Sequence, residues 1–200
     1  RSDVGDVSYA YDNPVALDRT LLGFERVTEL AADGSGTERT FHVGVVELGG
    51  LERRMEQRAP DGSLLAVRET GWEVLPGHTA DQVRVRQTST RSTLVGTSGA
   101  QLSRFVQSHW DAQGRLEAVE RFDHDSLLTS RTELEYVTEP HPLNPALSID
   151  RLFSVEGLTP SGARTSRIEL TWSPAGDLTD RTRWLDTDGQ FHGEHRVLNS

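Results

Sequence analysis

The residues best equipped for chemistry in this 200-residue chain sit in short clusters, and each cluster has a plainer structural explanation. His192-Gly193-Glu194-His195 offers two imidazoles three positions apart. On a strand such residues face opposite sides, and Gly193 behind an Asp188-Gly189 turn opposes the helix that would bring them together. Two surface histidines are therefore expected rather than a metal site. Asp186-x-Asp188-Gly189 opens like a calcium loop, but the later ligands and the closing bidentate Glu do not follow, so it reads as a hairpin turn. Asp123-His124-Asp125 supplies two members of a Ser-His-Asp site, yet no G-x-S-x-G elbow frames a nucleophile. Glu133 and Glu135 share one face of an extended segment, where a glycosidase pair could sit, and surface alternation explains them more simply. Zero cysteine removes disulfides, zinc-thiolate sites and thiol nucleophiles together. No catalytic residue, metal ligand set or cofactor is expected.

Binding chemistry has two further candidates. Arg53, Arg54 and Arg58 interleave with Glu52 and Glu56, which suits a mixed-sign solvated face better than an anion site. Trp110, Trp172 and Trp184, with Trp72, offer ring faces on which a glycan could stack. Trp110 and Trp172 each stand just before an Asp- or Ser-headed glycine turn, so anchoring of strand ends competes with glycan stacking.

The elements that must position these residues are strands. A two-residue alternation runs through 40–45, 82–96, 127–138 and 167–172, and helical periodicity is absent. Strands are expected near 7–11, 19–30, 38–47, 50–58, 63–74, 82–96, 101–110, 115–122, 127–138, 167–172, 177–185 and 191–197. Asp33-Gly34, Asp61-Gly62, Ser98-Gly99 and the turns ending at Gly114 and Gly176 join them, through residues that tolerate positive φ. Gly23, embedded in an apolar run, marks a bulge or a close backbone approach. Asn13-Pro14 reads as a loop, and Pro76-Gly77 as a break. Pro140, Pro142 and Pro145 remove ladder donors, so 139–149 reads as a Pro-rich loop, with a short helical turn within 145–153. The chain thus divides into a sheet segment 1–138, that loop, and further hairpins of the same sheet over 150–200. No strict repeat period emerges; degenerate hairpins fit better than a closed repeat array.

A resemblance enters at specific residues. G-F-E-R-V at 23–27 is followed by F-H-V-G at 41–44 and by G-L-E-R-R-x-E-x-R-x-x-D-G-S-L from Gly50; a strand carrying Trp72 comes next. This series, with Gly23, Phe24, Arg26, Asp61, Gly62 and Trp72 as its markers, resembles the middle region of insecticidal toxin-complex B components and SpvB-type virulence proteins. W-D-A-Q-G-R-L (Trp110, Asp111, Gly114) and W-S-P-A-G-D-L (Trp172, Gly176) resemble the Y-D-x-x-G-x-L core of RHS/YD repeats, with tryptophan where tyrosine is usual. The resemblance implies an all-β fold, an antiparallel ribbon of successive hairpins in a curved RHS-like sheet with few or no helices. It implies a wall segment of a bacterial toxin-complex shell enclosing a toxic polypeptide cargo. The partners would be neighbouring RHS shell segments and a C-type toxin component, and the location secreted or extracellular. The D-P-x-G-type self-cleavage sequence of that family is absent, so no self-processing is expected.

Composition bounds these readings. The net charge of −10 argues against nucleic acid, whose phosphates call for a basic face. All 21 basic residues are Arg, a bias that a GC-rich coding sequence accounts for and that also suits cross-strand ion pairs. No apolar run approaches a membrane span and no signal peptide is evident. With Met55 as the one methionine, the chain reads as a segment of a longer polypeptide. The rival reading is a carbohydrate- or cell-surface-binding β module; a hydrolase on a β scaffold ranks last, because no acid, base and nucleophile converge.

Overall fold

The computed structural model describes the chain apart from residues 1–5, 18–19, 77–82, 142, 187–190 and 198–200. Its elements fall into two compact units, one of residues 1–107 with 123–126, the other of 108–122 with 127–200. The first unit is built from β1 (Ser8–Leu17), β2 (Thr20–Leu30), β3 (Gly36–Phe41), β4 (Glu52–Arg58), β5 (Leu64–Pro76), β6 (Val83–Val95) and most of β7 (Gln101–Trp110). The second holds the end of β7 and β8 (Leu116–Phe122), β9 (Leu128–His141), β10 (Asn144–Leu158), β11 (Arg164–Trp172), β12 (Leu178–Asp186) and β13 (Phe191–Val197). Strand order in the sheet is chain order, β1 to β13. The fold is all-β, as expected. Among the described residues no helix is long and apolar enough to cross a membrane.

One turn recurs because one set of residue types satisfies it. In 59–63 the Gly62 N–H donates to the Ala59 carbonyl and the Ala59 N–H to the Ser63 carbonyl, each at 2.9 Å. The same pair of bonds closes 31–35, 96–100, 111–115, 159–163 and 173–177. This is the three-residue hairpin whose last loop position is left-handed. Gly62 has φ +81° with open space where a Cβ would stand, so replacing it costs backbone strain alone. At 123–127 the same position is Ser126, held at φ +61°. Gly62→Ala should therefore lower stability by about 1 kcal/mol, and Ser126→Gly should raise it by a similar or smaller amount. Urea midpoints of the two variants check this; shifts of the same sign would remove the left-handed turn from the account.

Gly23 does sit at a bulge: its φ is +144° and the β1–β2 register shifts beside it, between Val15 and Ala16. Three expectations need correction. Asn13-Pro14 is not a loop but lies within β1, where Pro14 pairs with Phe24 and Asn13 takes φ +52°. An outer strand accepts a proline nitrogen that faces away from the ladder, and the Asn13 amide donates to Glu25 at 3.0 Å. The segment 38–47 stops being a strand at Phe41; a 3-10 turn, Val46–Leu48, follows and buries Leu48.

The third correction concerns 139–149 and 145–153, which form neither loop nor helical turn: β9 runs to His141 and β10 starts at Asn144. Pro140 pairs with Ser148, beyond residues 128–133 that pair with β8, and a register shift between Asn144 and Ser148 absorbs the irregularity. Pro142, Gly77 and Asp188-Gly189 lie outside the described residues.

Neither face of the first unit is a conventional core face. One face carries the cross-strand row Thr28, Glu38, Glu56, Val67, Thr93 and Ser103; the other carries Val27, Arg39, Met55, Arg68, Ser92 and Arg104. Opposite charges meet diagonally, between residues that are not direct cross-strand partners. Arg39 meets Glu29 at 3.4 Å and Glu52 at 3.6 Å, and Glu52 in turn meets Arg68 at 2.7 Å. Each such exposed pair contributes roughly 0.2–1 kcal/mol. Among the described residues the buried apolar side chains are Leu48 and Ala118, so sheet pairing rather than a sealed interior carries the cohesion.

Candidate functional site

The most heavily constructed place in the second unit is the turn headed by Trp172. The β9–β10 register shifts between Leu152 and Ser154, and this bulge frees the strand to present Arg151 and Leu152 towards β11. The Trp172 indole N–H donates to the Leu152 carbonyl at 2.8 Å. Arg151, 7% exposed, reaches under the turn and donates to the carbonyls of Ser173 (2.5 Å) and Pro174 (3.3 Å). The same guanidinium lies 3.3 Å from the Glu139 carboxylate. Beside it Ser154, fully buried, donates its hydroxyl to Glu135 at 2.8 Å. Within the turn the Ser173 hydroxyl accepts the Asp177 N–H at 3.1 Å, and Gly176 keeps φ +103°.

The turn headed by Trp110 is braced from within. Asp111 accepts the N–H groups of Gln113 and Arg115, both at 2.9 Å, and the Arg115 guanidinium at 2.6 Å. Arg115 continues to Asp150 at 3.1 Å and lies over the Tyr136 ring, 5.2 Å from its centre. Gly114 takes φ +82°. Burial alone would raise the Asp111 carboxyl, but the Arg115 N–H and guanidinium outweigh it and hold the group below the usual range. In the Asp61-Gly62 turn the Ser63 hydroxyl, then its N–H, hold Asp61 low; Ser35 does the same for Asp33.

In the first unit, the three stretches that carried the resemblance converge. Gly23 and Phe24, His42 and Val43, and Gly49 and Gly50 line one small nook with Val15 and Val46. The His42 N–H donates to the Leu51 carbonyl at 3.0 Å, and the ring Nε2 is enclosed without a partner. Desolvation, then the charge of Arg53, push the His42 pKa below its ordinary 6.5. Arg26 points elsewhere, to Glu38 at 3.7 Å, and Asp61 and Gly62 do not line the nook.

These shifts set the pH dependence. His42 has a folded pKa below its unfolded value, so its contribution is complete above pH 6.5 and falls as pH drops below it. Asp33, Asp61, Asp111 and Glu56 are also lowered, from 3.8 for the aspartates and 4.5 for the glutamate; their contribution is lost only in a more acidic step. Glu56 is raised by burial, but Arg54 and Arg58 prevail. Denaturation midpoints taken from pH 8 to 3 should fall in two steps, and His42→Leu should abolish the upper one. An unchanged upper step in that variant excludes His42 as its source.

The remaining sequence candidates scatter. Trp72 repeats the Trp172 device, donating to the Glu52 carbonyl at 2.9 Å. Trp184 packs its indole edge against the backbone of Gly193, opposite it on β13. Trp72, Trp110, Trp172 and Trp184 are all half-buried. Asp123, His124 and Asp125 bring their ligand atoms within 4.8 Å of one another, while Asp123 also accepts the Asp125 N–H at 3.0 Å, as a turn-forming aspartate does. Glu133 meets Arg131 at 2.8 Å and Glu135 is occupied by Ser154, so each carboxylate has a local structural partner. Arg54 and Arg58 both bind Glu56, and Arg53 lies 3.9 Å from Glu25: the mixed-sign face expected. Residues 192–195 run within strand β13, so the helix needed to converge the two histidines is not formed. Asp188 and the side chains of Asp186, His192 and His195 lie outside the described residues. Arg151 and Ser154 are what sequence reasoning missed; a lone Arg in R-L-F-S carries no signal of its burial.

No family model matches the chain, and no curated protein matches it. Among solved structures, a porin-like protein from Bacteroides uniformis aligns with 84% of this chain and 56% of its own, at 10% identity and a TM-score of 0.35. The Tc holotoxin pore of Photorhabdus luminescens aligns with 90% of this chain and 12% of its own, at 10% identity and a TM-score of 0.21. The chain spans about half and about one eighth of those two chains. Likeness at that level assigns neither family nor function to this chain.

Proposed function

We propose that this chain is a structural segment of an RHS/toxin-complex B-type β shell, a wall that encloses a toxic polypeptide and performs no catalysis itself. Its partners in this reading are neighbouring shell segments and a C-type toxin component, and it acts outside the producing cell. The observation that supports it most is the manner of cohesion: strands follow one another in chain order, recurrent glycine turns return them, and charged rows cross both faces of the first unit. Such a sheet gains little from folding over a private core and much from lateral pairing with further strands. A wall of this kind can exclude protease while keeping a polar surface towards an unfolded cargo.

The test is protease protection in the parent polypeptide assembled with its C-type component. The enclosed cargo should survive trypsin while the intact assembly is present and be degraded once variants that loosen the Trp172 turn are introduced. Cargo cleaved equally fast in the wild-type assembly and in free form would sink the shell reading.

A further inference from the structure

Among the described residues most arginines are answered by a carboxylate, a carbonyl or a ring, and two neighbours on β12 are not. Arg181 stands directly opposite Arg196 on β13 and opposite Leu170 on β11. Arg183 stands opposite Glu194 on β13 and opposite Ile168 on β11. The four cross-strand neighbours therefore supply one carboxylate, and Glu194 gives it to Arg196, two residues along its own strand, at 2.9 Å. Like charges placed directly across a ladder destabilise it, so a sheet that keeps the Arg181–Arg196 pair holds a repulsion that a bound anion would relieve. Arg181, Arg183, Glu194 and Arg196 enclose a cleft of about 120 Å³.

We propose that this cleft is a binding site for a single tetrahedral oxyanion, a phosphate or sulfate group. Planar guanidinium forks offer paired N–H donors that match such oxygens, and donors from two strands can grip one group from two sides. The occupant is one small group and not a polyanion. The chain as a whole carries a net charge of −10, which repels an extended anionic surface at long range, whereas a local cluster of three guanidiniums against one carboxylate still attracts a compact anion. The proposal stands apart from the shell reading, since it uses only β11, β12 and β13.

Isothermal titration with inorganic phosphate and with sulfate, at constant ionic strength in a chloride background, tests it. Wild type should bind one anion per chain, and the Arg181→Gln/Arg183→Gln double variant should bind at least tenfold more weakly. Arg104→Gln serves as the control: it removes a guanidinium elsewhere on the sheet and should leave the affinity unchanged. Without anion, Arg181→Gln should unfold at a higher temperature than wild type, because the like-charge pair is gone. Equal phosphate binding by wild type and the double variant overturns the site. Tighter binding of heparin or of vesicles containing anionic lipid, lost in the same double variant, overturns the assignment to a single small oxyanion.

Discussion

Arg151→Ala should lower the unfolding free energy by about 3 kcal/mol, the largest loss expected from any polar substitution among the described residues. The side chain is 7% exposed, and truncation strips donors from the Ser173 and Pro174 carbonyls and the counter-charge from Glu139. Glu139 is itself about half exposed, so water can replace its partner and its share of the loss is small. The two carbonyls matter more, because charge-assisted bonds to each contribute roughly 1.5–3 kcal/mol. Arg151→Met, which keeps the aliphatic stem, should recover part of the loss and separate packing from hydrogen bonding. Arg151→Lys should recover little, since its donors all sit on one nitrogen and it lacks the planar fork whose two nitrogens reach the Ser173 and Pro174 carbonyls separately. Urea denaturation of the set decides the matter. A methionine variant as stable as wild type would mean that the guanidinium contributes nothing beyond its stem.

Trp172→Ala should cost about 2–3 kcal/mol, below the range for a fully buried tryptophan because this ring is half-buried. Trp172→Phe isolates the indole N–H and its 2.8 Å bond to Leu152, for an expected loss near 1 kcal/mol. Arg151 and Leu152 are consecutive and both hold the 173–177 turn, so the two losses should not add. Once Arg151 is gone the turn is already loosened, and the Arg151→Ala/Trp172→Ala protein should lose about 1 kcal/mol less than the sum. Strict additivity in that double-mutant cycle would show that the guanidinium and the indole support separate pieces of structure.

Local signals account for much of the sheet. The strands expected at 101–110 and 191–197, from the turns read beside them, are found with those bounds. Asp61-Gly62 and the glycines at 114 and 176 turn the chain where their residue types say they should. These features are legible because a strand needs only a period of two and a hairpin only a residue that accepts positive φ. Where local pattern misleads, a neighbour decides. Pro14 and Pro140 look like breakers until the adjoining ladder is known; each sits where one side of its strand tolerates a missing donor. Val43 and Val45 continue an alternation that the 3-10 turn beside them overrides.

The site residues divide in the same way. The alternation, the glycine turns and the composition suffice to announce an antiparallel sheet with arginine–carboxylate pairs and with Trp110 and Trp172 at the heads of two turns. Only tertiary structure could place Arg151 beneath the Trp172 turn, gather Gly23, His42 and Gly50 around one nook, and set Arg181 against Arg196. Strand register is the reason. Periodicity tells which side of a strand a residue occupies, but the partner it meets there depends on bulges and turn lengths summed along the chain. A one-residue change in that sum exchanges every cross-strand neighbour at once.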